Sequence, residues 1–396
     1  MTPVPEGFLW GASTAAHQIE GNNVNSDFWA MEHAEPRGAR IREASGDACD
    51  SYHRYRDDIA LLADAGLNAY RFSFEWARLE PAEGAFSRAE LLHYRDMIDA
   101  CHERGVEPVI TLHHFTTPRW FAESGGWKRA DAIDRFAAYV AFCCEALGDV
   151  RWVVTINEPN ILALFDHLHG DDADPTPDTA TVAMAQLPMP SLAFARRIGA
   201  VHRAAVAVLR ERTRAKVGWA IACQAFTPTP GNRARFDEVF HAWEGAYLAW
   251  SAGDDFIGVQ SYTSQPVDAD GPVPHPQSPD NTLTGWAYRP DALGINLERL
   301  WALAGIPLLV TENGIATDDD VRRIAYTTGA LQGMEAAIAA GAQVLGYLHW
   351  SLLDNYEWGS FLPTFGLIAV DRSSFVRSPK PSLAWLGRIA AGVATT

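Results

Sequence analysis

The sequence predicts an α/β protein, a single (β/α)8 TIM barrel. Three observations carry this. Eight short β-like runs alternate with longer amphipathic segments, the composition does not break along the chain, and polar residues costly to bury recur at the strand ends.

The candidate strands are 8–11, 68–72, 107–112, 152–156, 217–223, 256–260, 307–311 and 344–349. Helical patterns between them span 52–65, 89–104, 131–147, 193–212, 233–251, 291–303 and 321–340, with a last one at 382–390. Apolar residues recur three and four apart, as in Ile59, Leu62, Ala63 and Gly66. Gly66, Gly105, Gly305 and Gly341 each stand where a left-handed C-cap would release the chain toward the next strand. Eight unbroken alternations favour a closed parallel barrel over a doubly wound sheet.

Two stretches interrupt the pattern. One, 170–190, is rich in Asp, Pro and Thr; the other, 265–290, has five prolines between Pro266 and Pro279. They follow the fourth and sixth strands, so they belong to the face where barrels carry their sites. As linkers they would cut the barrel in half, so they are expected to be lids or channel walls. The chain is then one catalytic domain over 1–396.

A chain of 396 residues with 48% hydrophobic and 20% charged side chains is ordinary for a globular protein. With 49 acidic against 32 basic residues, the net charge of −17 repels phosphate backbones and anionic lipid surfaces. Nucleic acid and membrane partners are therefore not expected. The five cysteines are odd in number and lack metal-ligand spacing, which points to reduced thiols and a cytoplasmic location. The opening MTPVPEGFLWG lacks the basic and apolar regions of a signal peptide. No apolar run approaches the roughly 18 residues that a transmembrane helix needs. The oligomeric state is left open, a homo-oligomer included.

Chemistry enters at the strand ends. They read Arg71, His113-His114, Asn157-Glu158, Tyr262, Glu312-Asn313 and His349-Trp350. Any one could be a satisfied structural group, but six converging on one rim are hard to explain by packing. Carboxylates from the fourth and seventh strands can face each other across a sugar. Glycoside hydrolysis needs such a pair, one protonated to release the leaving oxygen and one ionised to attack or to support water, the gap between them deciding retention or inversion.

The motifs resemble glycoside hydrolase family 1, the β-glucosidase family. FLWGASTAAHQIEG is similar to its N-terminal signature, TINEP to its TFNEP and VTENG to its I/VTENG motif. HWSLLDNYEW is similar to WSLLDNFEW, and YRFSFEWARLEP to YRFSISWSRIxP. Five motifs in the right order, over nearly the whole chain, make the resemblance specific. It implies a retaining β-glycosidase with Glu312 as nucleophile and Glu158 as acid/base. It also implies that Asn157 binds the sugar 2-hydroxyl, with Arg71 and Tyr262 supporting Glu312. Gln18, His114, Glu357 and Trp358 would hold the other hydroxyls, Trp350 would form the floor and Phe365 a pocket wall. The expected substrate is a small-molecule β-glycoside, and no cofactor or metal is expected.

The chain also departs from the family pattern. The N-Y-Y after the sixth strand reads Gln260-Ser261-Tyr262, RFGL becomes TFGL, and Phe115-Thr116 replace Trp-Asp. His113 replaces a tyrosine, and GDDADPTPD replaces a glycine- and histidine-rich run. These changes leave the aglycone open, along with glucose against galactose or fucose and hydrolysis against transglycosylation. The stretch EWGSFLPTFG has no Lys or Arg for a 6-phosphate, and Glu357 would repel one. Thioglucosidase-like members lack the acid/base glutamate, so the presence of Glu158 argues for O-glycosides. A silent sugar-binding barrel would usually lose a carboxylate, and both are kept. A metallohydrolase would need His113 and His114 to face one ion, which neighbours on a strand do not do easily.

Overall fold

Strand propensity and helical periodicity alternate along the chain, and the strands they define meet edge to edge in sequence order. In the computed structural model these are β1 (Leu9–Ser13), β2 (Ala69–Ser73), β3 (Glu107–Thr111), β4 (Trp152–Asn157), β5 (Lys216–Cys223), β6 (Ile257–Ser261), β7 (Leu308–Asn313) and β8 (Val344–Trp350). All pair in parallel, and β1 bonds both β2 and β8, which closes the barrel. The structure describes residues 4–35, 41–169 and 189–393. The interruption at 170–190 lies outside the described residues except for Met189 and Pro190.

Long helices pack outside the strands: Ser51–Asp64, Arg88–Glu103, Ala132–Leu147, Leu192–Arg212, Ala292–Ala304, Asp320–Ala339 and Pro381–Ala390. After β5, helix Arg233–Phe240 runs through a π-helical turn, His241–Gly245, into Ala246–Trp250. Several starts are capped: Ser87 accepts from the Glu90 amide and Ser191 from that of Phe194. At the other end Gly66 and Gly305 take φ of 93° and 61°, the left-handed conformation that stops a helix without a Cβ clash.

The apolar residues divide into two layers. Leu9, Ala69, Val109, Val154, Ala220, Leu309 and Leu348 fill the barrel interior. Ile59, Phe72, Ile110, Val140, Leu297 and Met334 belong to the larger layer between strands and helices. Each large side chain among them contributes about 1.5–3 kcal/mol on burial, so the barrel floor is a packed plug.

Two register shifts fall where the polar rim begins. Between β4 and β5 the register slips between Val154 and Asn157, and between β6 and β7 Glu312, not Thr311, comes opposite Gln260. Such irregularities re-aim side chains at a strand end. Gly314 then lets β7 pass under β8, since a Cβ there would overlap the Trp350 carbonyl.

Candidate active site

Glu312 ends β7 in a site with almost no solvent, so its carboxylate must find donors in the protein. Arg71 from β2 supplies Nη1 at 2.6 Å to Oε1, and Tyr262, just past β6, supplies its hydroxyl at 2.5 Å to Oε2. Gln260 on β6 adds Nε2 at 2.7 Å to Oε1. Arg71 is fully buried and also gives Nη2 to Asn157 Oδ1 at 2.5 Å and Nε to Thr111 at 2.9 Å. Asn157 Oδ1 accepts from Gln260 as well, at 2.7 Å, which leaves Asn157 Nδ2 buried and unpartnered among the described residues.

Glu158 is placed differently. Its φ of 42° is a strained value for a residue with a Cβ, held because its carbonyl accepts from Ile161 and Leu162 in the helix Pro159–His169. Among the described residues its carboxyl accepts no hydrogen bond. Burial raises both carboxyls. For Glu158 the charges of Glu312 and Glu357 add to burial and Arg71 alone opposes it. For Glu312 the guanidinium of Arg71 and the Tyr262 hydroxyl work against burial. The donors around Glu312 thus favour its charged form, while at Glu158 only Arg71 does so.

The segment after β8 closes the other side. Glu357 Oε1 accepts from Trp350 Nε1 and Asn355 Nδ2, both at 3.1 Å, and Oε2 from Gln18 Nε2 at 3.2 Å. Burial still pushes the Glu357 carboxyl up to about 8, against those donors. His114 stacks on Trp350 at 5.9 Å and on Trp358 at 6.2 Å, and burial holds it neutral. Phe365 meets Tyr262 at 5.9 Å.

Not every polar strand end enters this site. His113 turns to Trp127 and Phe136 on the helical side. Asn313 bonds the Ser261 carbonyl at 2.6 Å and accepts from Tyr347, and His349 lies beside Tyr347 and the Phe365 carbonyl. Two residues to which the sequence assigned no role do enter. Gln260 is one. Trp286 is the other: the turn in which Thr282 and Trp286 bond each other brings its ring to 5.6 Å from Tyr262. The stretch 265–290 thus walls the mouth at this point.

Two carboxyls so differentiated on the C-terminal rim of an α/β barrel define a class of protein, the glycoside hydrolases. The model of glycosyl hydrolase family 1 matches residues 1–250 and 251–393. Thermostable β-glucosidase B of Thermobispora bispora is 33% identical over 96% of this chain and 89% of its own length. A bifunctional β-D-glucosidase/β-D-fucosidase of Bifidobacterium breve is 30% identical over 98% of each chain. Among solved structures, the β-glycosidase BGL167 superposes with a TM-score of 0.90 at 40% identity, over 100% of this chain and 99% of that one. The β-glucosidase from Thermotoga maritima in complex with glucoimidazole gives 0.86 at 27% identity, over 99% of each. The chain belongs to glycosyl hydrolase family 1, and it is a glycoside hydrolase.

Proposed function

We propose that the chain is a retaining β-glucosidase in which Glu312 is the nucleophile and Glu158 the acid/base. The observation that carries this is the asymmetry of the two carboxyls. Three donors favour the charged form of Glu312 against burial, while Glu158 has no donor among the described residues and burial and Glu312 favour its protonated form. In the first step Glu312 attacks the anomeric carbon while Glu158 protonates the departing oxygen. In the second, Glu158 takes a proton from water, which displaces Glu312.

The unpartnered Nδ2 of Asn157, Oε1 of Gln18 and Nδ1 of His114 supply the donors and acceptors that sugar hydroxyls need. Trp350 offers a flat apolar face to the ring, with Trp358 and Phe365 beside it. The substrate is read as an unphosphorylated β-D-glucoside. Phe115, 5.1 Å from Trp358 and 5.9 Å from Phe165, and Trp286 make an aromatic mouth that supports a small or aromatic aglycone. We place this chemistry in one catalytic domain over 1–396. A cytoplasmic location is supported by the five free cysteines, Cys143 and Cys144 among them, though adjacent. No helix among the described residues is long and apolar enough to cross a membrane.

Proton NMR during early turnover of an aryl β-glucoside is expected to show the β-anomer of the sugar first. An α-anomer as initial product would overturn the retaining assignment. EDTA is expected to leave the rate unchanged, because no group of three metal-ligating side chains is assembled among the described residues. Loss of activity that Zn²⁺ restores would instead assign the chemistry to a metal.

A further inference from the structure

The side-chain amide of Gln260 makes a bridge to which neither step of the reaction has assigned a part. Gln260 is 1% exposed and stands directly opposite Glu312 in the β6–β7 register. Its Nε2 lies 2.7 Å from Asn157 Oδ1 and 2.7 Å from Glu312 Oε1. Both partners accept only: a carboxylate has no hydrogen to give, and Asn157 Oδ1 already faces the Arg71 guanidinium, which only donates. The amide nitrogen must therefore point this way, one hydrogen for each acceptor. Its Oε1 is left buried without a partner among the described residues.

Two buried structural amides elsewhere in the barrel behave differently. Asn160 Nδ2 bonds the carbonyls of Ala222 and Trp243, and Asn296 Nδ2 bonds the Cys223 carbonyl and the Ser261 hydroxyl. Three of those four bonds hold backbone carbonyls. The Gln260 amide bonds only the side chains of two site residues on other strands. It duplicates Arg71, which bridges the same pair of acceptors from β2.

We infer that Gln260 is a positioning residue for the reaction: with Arg71 it fixes the Glu312 carboxylate and sets the rotamer of Asn157. This rests on Glu312 being the nucleophile. Donors to a carboxylate favour its charged form, so Gln260 widens the range of acid pH over which Glu312 can attack. The same bond strengthens as charge returns to Glu312 in the second step, when the carboxylate leaves the sugar. It also holds Asn157 Nδ2 toward the pocket, because Oδ1 is doubly occupied.

The test compares Gln260→Met, which keeps the length and loses the donor, with Gln260→Glu, which replaces the donor by a carboxyl. The substrate is 2,4-dinitrophenyl β-glucoside, whose leaving group needs no proton, so that the acid limb of kcat/KM reports Glu312. The titratable or charged groups facing Glu312 are Arg71, Tyr262, Glu158 and Glu357, and all stay in both variants. Gln260→Met is expected to move the acid limb up by about one pH unit and to lower kcat about ten- to hundredfold, the worth of one bond to a charged group. Gln260→Glu should move the limb further up, since a second acidic group opposes ionisation of Glu312. A folded variant of either kind whose acid limb stays where it was overturns the inference and leaves Gln260 a structural residue. Glu312→Ala assayed in parallel with azide separates the two readings. If it forms α-glycosyl azide while the Gln260 variants leave the limb unmoved, the nucleophile stands and only this inference falls.

Discussion

Glu312→Ala is expected to lower kcat by about 10⁶-fold, the scale on which removing a covalent nucleophile acts. Part of the change falls on stability. Arg71 is fully buried, and without Glu312 its charge keeps, among the described residues, only Asn157, Thr111 and the Thr311 carbonyl as partners. Breaking a buried pair from one side costs about 3–5 kcal/mol, so the variant should unfold at a lower temperature. Azide tests the chemistry independently of that cost. It is anionic, it fits where the carboxylate was removed beside Arg71, and it meets the sugar from the same face. With dinitrophenyl glucoside it should restore turnover and give an α-glycosyl azide, read by NMR. Recovery of the β-azide, or turnover that never fell, would assign Glu312 another role.

The barrel was legible in the sequence because its signals are local. Strand runs, three- and four-residue apolar spacing and terminal glycines such as Gly66 and Gly305 are properties of neighbouring residues. The eight strands lie within a residue or two of their expected ends. The polar rim was legible too, because Arg71 or Glu312 at a strand end must be compensated somewhere. Which way each side chain points was not. His113, Asn313 and His349 sit on the same strand ends as the site residues, yet they turn outward or backward, since alternate side chains on a strand take opposite faces. The register shift before Glu312 changes that parity in a way no periodicity announces.

Gln260 shows a different limit. An amide inside the apolar run FIGVQS is itself a signal, and it stands two residues before Tyr262, on the side from which that residue reaches Glu312. Its significance depends on two acceptors that lie 103 and 52 residues away in the chain. Trp286 lies in a proline-rich loop without any period, and only the Thr282 turn brings it to Tyr262. The strained backbone of Glu158 is likewise set by packing around it, not by its own sequence context.

The second large effect belongs to Glu158. In the free enzyme burial and the Glu312 charge keep its carboxyl protonated, so it can act as the acid. When Glu312 becomes an ester that repulsion disappears, and Glu158 is freed to ionise and act as base toward water. The profile of kcat/KM should therefore be bell-shaped. Activity falls at low pH as Glu312 is protonated and falls at high pH as Glu158 loses its proton, the apparent values belonging to the interacting pair. Glu158→Ala should slow a phenyl glucoside, whose leaving group needs a proton, about 10²- to 10⁴-fold. The first step with dinitrophenyl glucoside should be nearly unaffected, so the glycosyl-enzyme accumulates and gives a burst. Azide should then attack the intermediate from the face opposite Glu312 and yield the β-azide. Glu158→Gln, which keeps the shape without the charge, should remove the alkaline limb for the phenyl glucoside. If that limb persists unchanged in the variant, a different group supplies the proton, and the acid/base role does not belong to Glu158.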